Sequence, residues 1–208
     1  MSILDQLASS LHRRDEAPNQ ELAKQIAGKK DKKAVQELMT HLSHKNKDIQ
    51  HDCIKVLYEI GEIDPALIAP YVKEFLALLD HTNNRLQWGA MTALSSITQE
   101  DPKTIYNSLS KILSVANKGS VITKDHAMNI LIQLCSTPPY ADDAFTLLNE
   151  QLLTSPTNQL PMYAEKAMPV ISSQNKKQFI QTLVSRLDEI DKDSKRKRVE
   201  KVIKKMGG

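Results

Sequence analysis

Apolar residues recur along this chain at two nested intervals, one short and one long. In the stretch NKDIQHDCIKVLYEIGEIDP (residues 46–65) they fall at Ile49, Cys53, Leu57 and Ile60, with Ile54 and Val56 beside them. Steps of four and three return to one face of a helix, so the stretch predicts an amphipathic α-helix. A shift of 37 residues gives Leu86, Ala90, Met91, Ala93, Leu94 and Ile97. A second shift gives Thr123, Ala127, Met128, Ile130, Leu131 and Leu134, and a third gives Leu160, Ala164, Glu165, Ala167, Met168 and Ile171. Only Thr123 and Glu165 among these 18 positions are not apolar, in a chain that is 40% hydrophobic. The interval therefore marks an internal repeat.

Each of these helices is predicted to end near a proline. Asp64-Pro65 and Asp101-Pro102 read as an N-cap followed by proline at the first helical position, and Thr137 before Pro138 and Pro139 reads the same way. A second helix is expected to start at each point. Ile68, Val72, Leu76 and Leu79 map onto Ile105, Leu109, Leu113 and Ala116, and further on lie Phe179, Leu183, Leu187 and Ile190. One step back stand Asp31, Val35, Met39 and Leu42. Residues 140–154 break the register, since Asp142, Thr146 and Glu150 fall on core positions. Phe145, Leu148 and Leu152 still form a helical stripe, which implies a local slip.

The unit is then a helical hairpin of 37 residues. One hairpin cannot cover both its apolar faces, so hairpins must stack on one another. In hydrophobic register and helix-pair length, residues 32–190 resemble the HEAT-repeat family, with the armadillo family second. The resemblance implies an all-α protein, an α-solenoid of about five helical hairpins with capping helices. The family's usual arginine after the first apolar position is replaced by Gln50 and Gln87, and its proline inside the first helix is met only by Pro169. Composition agrees with an all-α fold: aromatics are 4%, glycines number 6, and no run alternates like a strand.

The continuous repeat predicts one domain over residues 1–208. Residues 1–30 form an N-terminal cap, with a short amphipathic helix through Ile3, Leu4, Leu7 and Leu11 and a second over 20–27 that stops at Gly28. Residues 192–208 form a basic C-terminal capping helix with Val199, Val202, Ile203 and Met206 inward. The start lacks a cationic segment followed by an apolar core, and no run approaches the ~20 apolar residues that span a membrane. No membrane association is expected.

Charge is uneven. The whole chain has 28 basic and 25 acidic side chains, net +3, but the middle is acidic and the end basic. Lys195, Arg196, Lys197, Arg198 and Lys201 offer a polyanion-binding surface, with Lys29–Lys33 a smaller one. The plainer reading of that helix is a cap with a solvated outer face.

Catalysis finds no support in the pattern. There is no G-x-S-x-G, no glycine-rich phosphate loop and no C-x-x-C. His41, His44 and His51 lie close in sequence beside Asp52 and Cys53, but His44 has a repeat equivalent in His81, which suits a role at a helix end rather than on a metal. Asp142 and Asp143 suit a helix's first turn. Cys53 and Cys135 stand two repeats apart on inward positions, so no disulfide is expected and a reducing, cytoplasmic setting fits. No cofactor, metal or small-molecule substrate is implied.

A protein or peptide partner on an extended surface remains. Trp88 is the single tryptophan and sits on a mostly polar repeat column, with Arg85 and Tyr106 as candidate neighbours; such rings anchor interfaces or pack across a groove. The second helices contribute the columns Gln36, Lys73, Ser110 and Glu37, Glu74, Lys111. The expected function is a non-catalytic interaction scaffold, with Trp88, Arg85, Lys73, Tyr106 and Lys111 touching the partner. The alternatives are nucleic-acid or polyanion binding through the basic terminal segments, and, by family resemblance, a DNA glycosylase-like enzyme.

Overall fold

The structure, a computed structural model, describes residues 2–207. Among them there is no strand. The chain divides into two compact units, one ending at Ala127 and the other beginning at Met128.

The first unit holds α1 (Ala17–Lys29), α2 (Lys32–Thr40), α3 (Lys47–Ile63), α4 (Val72–Leu78), α5 (Asn84–Ser96), α6 (Pro102–Asn107) and α7 (Leu109–Lys118). α3 packs between α1 and α5, while α2 lies against α3 and α4 against α5. The repeat register becomes the core. Leu57 and Leu94 are fully buried, as are Cys53, Ile54 and Ile60 and their partners one step on, Ala90, Met91 and Ile97. α3 and α5 approach closely where α5 carries Gly89. A Cβ there would lie 2.5 Å from Ile54 Cγ1, an atom on a branched, buried side chain that cannot swing away.

Two copies of one polar device start α3 and α5. Asn46 Oδ1 accepts the Asp48 amide at 2.9 Å, and Asn83 Oδ1 accepts the Arg85 amide at 3.0 Å. His44 Nδ1 receives the Asn46 amide and His81 Nδ1 the Asn83 amide. Gln50 Nε2 then reaches back to the His44 carbonyl and Gln87 Nε2 to the Leu79 carbonyl, at 2.7 and 2.9 Å. The pattern His-x-Asn-x-x-x-Gln thus closes the end of one helix and opens the next, meeting groups that helix ends leave unpaired.

The helix ends differ from expectation in several places. α1 runs through Gly28 and stops at Lys30, whose backbone turns left-handed at φ 52°. The N-terminal stripe is a single 3-10 turn, Ile3–Gln6, after which Leu7 is buried and Leu11 stays exposed. Asp101 caps α6 through the Thr104 amide at 3.1 Å, but Asp64 makes no side-chain cap. Two 3-10 turns, Pro65–Leu67 and Ala69–Tyr71, follow Asp64 before α4 begins. Pro70 has no amide to donate, so a continuous helix would lose a bond there.

α8 (Val121–Leu134) begins in the first unit and ends in the second. The second unit continues with α9 (Ala141–Thr154), α10 (Leu160–Ala167), α11 (Lys176–Ser185) and α12 (Asp193–Lys205). α9 begins at Ala141 and not at Pro138, and Thr137 Oγ1 donates to the Gln133 carbonyl at 3.1 Å. Its buried stripe includes Phe145, Leu148 and Leu152, as the slipped register requires. α9 packs on α11, and α12 covers α10 and α11 with Val199, Val202 and Ile203.

Candidate functional site

Trp88 lies on α5 facing α3. Its ring is 5.7 Å from that of Tyr58 and tilted by 50°, and the Arg85 guanidinium stands 5.9 Å from its centroid. Trp88 is half-buried and Tyr58 buried. The tryptophan therefore packs across the groove between successive first helices, the plainer of its two readings. Arg85 is drawn the other way too, donating to Glu16 at 2.8 Å. Tyr106 is half-buried on α6.

Glu16 connects these residues to the core. It accepts from Lys55 Nζ at 2.8 Å, and Lys55 also holds Glu59 at 2.6 Å. Lys55 is buried, and burial alone would lower its pKa, but its hydrogen bonds to Glu16 and Glu59 outweigh that and raise it. The Lys55 ammonium, with Arg85 behind it, holds the Glu16 carboxyl below its ordinary 4.5. A depressed carboxyl stabilises the fold above its ordinary value and ceases to do so as pH falls through its folded value. The melting temperature of wild type should therefore exceed that of Glu16→Gln by a constant margin above about pH 5, and the margin should shrink below it. A margin independent of pH from 7 to 3 would show that Glu16 acts without its charge.

The second helices form the other surface. α2, α4 and the turns beside them enclose a groove of about 670 Å³. Met39, Leu42, Tyr71 and Leu78 supply its apolar wall, and Gln36 and Glu74 its polar edge. Of the two repeat columns read from the sequence, Gln36 and Glu74 thus reach the groove. Lys73 is exposed on α4 but does not line it. Lys111 is paired with Asp80 at 2.6 Å, and Glu37 accepts from Ser2 Oγ and the Ile3 amide. Tyr71 and Leu78 escaped the sequence reading, while Met39 and Leu42, read as part of the apolar column of the second helix, also line the groove. Pro70 was the available signal, since it breaks the helix and leaves Tyr71 at the head of α4.

The basic helix α12 is partly spent on its own unit. Arg198 grips Glu165 with two bonds, 2.8 and 2.6 Å, which holds the Glu165 carboxyl below its usual range. Lys195 donates to Asn158, and Arg196 to the Ile190 carbonyl. Lys197 and Lys201 are exposed and form no salt bridge among the described residues, and the same holds for Lys204 and Lys205.

No group of three or more potential metal ligands occurs among the described residues. Burial pushes the thiols of Cys53 and Cys135 up to about 12, so neither is a thiolate at neutral pH. No helix among the described residues is long and apolar enough to cross a membrane.

No family model matches the chain, and no curated protein does. Solved structures do. A designed armadillo repeat protein in complex with the peptide (KR)4 is similar at TM-score 0.66 and 14% identity, over 99% of this chain and 98% of that one. Computationally designed armadillo repeat proteins for modular peptide recognition give 0.63 at 14% identity, over 99% and 98%. An engineered protein gives 0.62 at 19% identity, over 100% and 98%. The fold is the armadillo-like helical repeat. Within it, the groove between α2 and α4 sets an apolar wall beside Gln36 and Glu74, whose side chains make no hydrogen bond or ion pair among the described residues.

Proposed function

We propose that this armadillo-like protein is a non-catalytic scaffold that holds a peptide or protein segment on the face formed by its second helices. The groove between α2 and α4 carries the reading, because it sets apolar wall and unpaired polar edge side by side. Interfaces of this kind take anchors in apolar pockets and fix the backbone with polar groups at the rim. Two of the similar structures are described by peptide binding, which supports the same use of the fold.

Ala77 is exposed and lines this groove, so Ala77→Arg fills it without touching the core. Peptides enriched from a random displayed library on the whole protein should bind Ala77→Arg at least about tenfold more weakly. A library that yields no enriched peptide, or peptides indifferent to Ala77→Arg, would sink the reading.

Polyanion binding is a second reading, favoured by Lys197, Lys201, Lys204 and Lys205 on the open side of α12. It requires a DNA duplex to bind at low salt with affinity falling steeply as salt rises, and replacing the four lysines by glutamine to flatten that slope.

A further inference from the structure

A second cleft of the first unit, about 490 Å³, shares no residue with the groove between α2 and α4. The N-terminal segment between Ala8 and Glu16, the start of α3 and Arg85 of α5 line it. Its charges fall into two groups. Arg13 grips Asp15 with two bonds of 2.9 Å, and Glu16 holds Arg85 and Lys55. Those charges are spent on one another. Arg14 and Asp48 are not. Both are exposed on the cleft wall, and neither side chain has a hydrogen bond or ion pair among the described residues. A cation and a carboxylate thus border one cleft without meeting.

The same cleft holds unsatisfied donors. Ser9 Oγ and Arg85 Nε are closed off from water and have no partner among the described residues. Such atoms are uncommon, because a buried donor that has lost its water and found no acceptor is costly. The Arg85 Nε can only donate, and the Ser9 hydroxyl turns to suit an acceptor. An oxyanion in the cleft answers both, with Arg14 as its counter-charge. A bare oxyanion gains little else there. Three arginines and four carboxylates line the cleft, so its walls offer no net attraction to an anion. Asp48 and Asp52 stand one turn apart on one face of α3, and both border the cleft. An uncharged polyol would leave Arg14 and Asp48 without counter-charges. An occupant with a cation beside its oxyanion meets every one of these groups.

We propose that this cleft binds a free α-amino acid as its zwitterion. The carboxylate takes Arg14, the Ser9 hydroxyl and Arg85 Nε. The ammonium takes Asp48, with Asp52 one turn further along α3. The two charged groups of an α-amino acid are borne on one carbon, so a single small ligand joins a cation from the N-terminal segment to a carboxylate of α3. The remaining volume receives the side chain. The site is independent of the scaffold reading, which uses a different surface.

Titration of the whole protein with each proteinogenic L-amino acid, up to about 10 mM, tests this, with the backbone amide resonances of Ser9 and Asp48 as reporters. At least one amino acid should bind with a Kd of about 1 mM or below and shift both resonances. Its N-acetyl derivative lacks the ammonium and its methyl ester lacks the carboxylate, and each should bind at least about tenfold more weakly. Arg14→Gln and Asp48→Asn should each weaken binding by a similar factor with little change in melting temperature, since neither side chain has a partner to lose. Lys103→Gln, which removes an exposed cation of α6, should leave binding intact. Inorganic phosphate that binds as tightly as the best amino acid overturns the zwitterion in favour of a simple oxyanion site. An N-acetyl derivative that matches its parent, or an effect of Arg14→Gln no larger than that of Lys103→Gln, overturns it as well. If no amino acid shifts Ser9, the cleft is not an amino-acid site.

Discussion

Replacing Arg186 by leucine should destabilise the second unit by about 3–4 kcal/mol, the range for stranding buried partners of a charged group. Arg186 follows α11 and is buried. One guanidinium nitrogen, Nη1, donates to the Leu152 and Leu153 carbonyls at 2.6 and 2.8 Å, Nη2 donates to the Ser155 carbonyl at 2.9 Å, and Nε to Glu189 at 2.8 Å. Those carbonyls close α9, where the helix has no amides left to satisfy them. Leucine would fill much of the space and take the guanidinium donors from all three carbonyls, leaving Leu152 only the Ser155 hydroxyl at 3.1 Å. Lysine should recover only part of the loss, because a point charge cannot reproduce a planar fork that meets three carbonyls. Urea unfolding followed by hydrogen exchange in α9 checks this. A loss under about 1 kcal/mol would show that water replaces the clamp.

Asp52→Ala should cost about 2–3 kcal/mol and release the N-terminal segment from α3. Asp52 is buried and accepts from Asn19 Nδ2 and from the Ser9 amide, both at 2.7 Å. Asn19 is buried as well, and its Oδ1 accepts the Ala8 amide at 3.0 Å. The alanine variant leaves two donors facing an empty acceptor site. Amides of Ala8 and Ser9 should exchange faster than in wild type while those of α5 do not. The double variant Asn19→Leu, Asp52→Leu should lose less than the two single changes together, since both ends of the bond are then apolar. Equal exchange at Ala8 and Ser9 in wild type and Asp52→Ala would dismiss the latch.

Much of the fold was legible in spacing. Leu57, Leu94 and Leu131 are one repeat apart and all fully buried. The second-helix register was slightly off: Leu76 and Leu113 are half-buried, and the neighbouring Phe75 and Ile112 are the fully buried residues. Carried forward, that neighbouring column reaches Asn149 and then Arg186. Hydrophobic counting could not find it, because two of its four members are polar. Helix ends were read less well, since a proline or a glycine marks a place where a helix can stop without forcing it. Gly28 stayed helical, and Lys30 took the left-handed turn.

The candidate site divides along the same line. The second-helix columns were visible, and they delivered Gln36 and Glu74 to the groove. Trp88 was conspicuous because it is unique, but uniqueness does not say which neighbour a ring will meet, and Tyr58 met it. Arg198 looked like a free cation beside Lys197. Glu165, which had broken the apolar register, turned out to be its partner.

By itself the sequence determined that this chain is helical, that its helices come in pairs at a 37-residue interval, and which face of each first helix is buried. Those properties follow from side-chain periodicity, which acts within a few turns of one helix. Only the tertiary structure decided which charges are consumed and which are left for a partner. Lys55, Arg85, Lys111, Arg186 and Arg198 all find oxygen partners at least 30 residues away, and Glu74 finds none among the described residues. Ion pairing depends on distances of a few ångströms between separate helices, and no local pattern carries that distance.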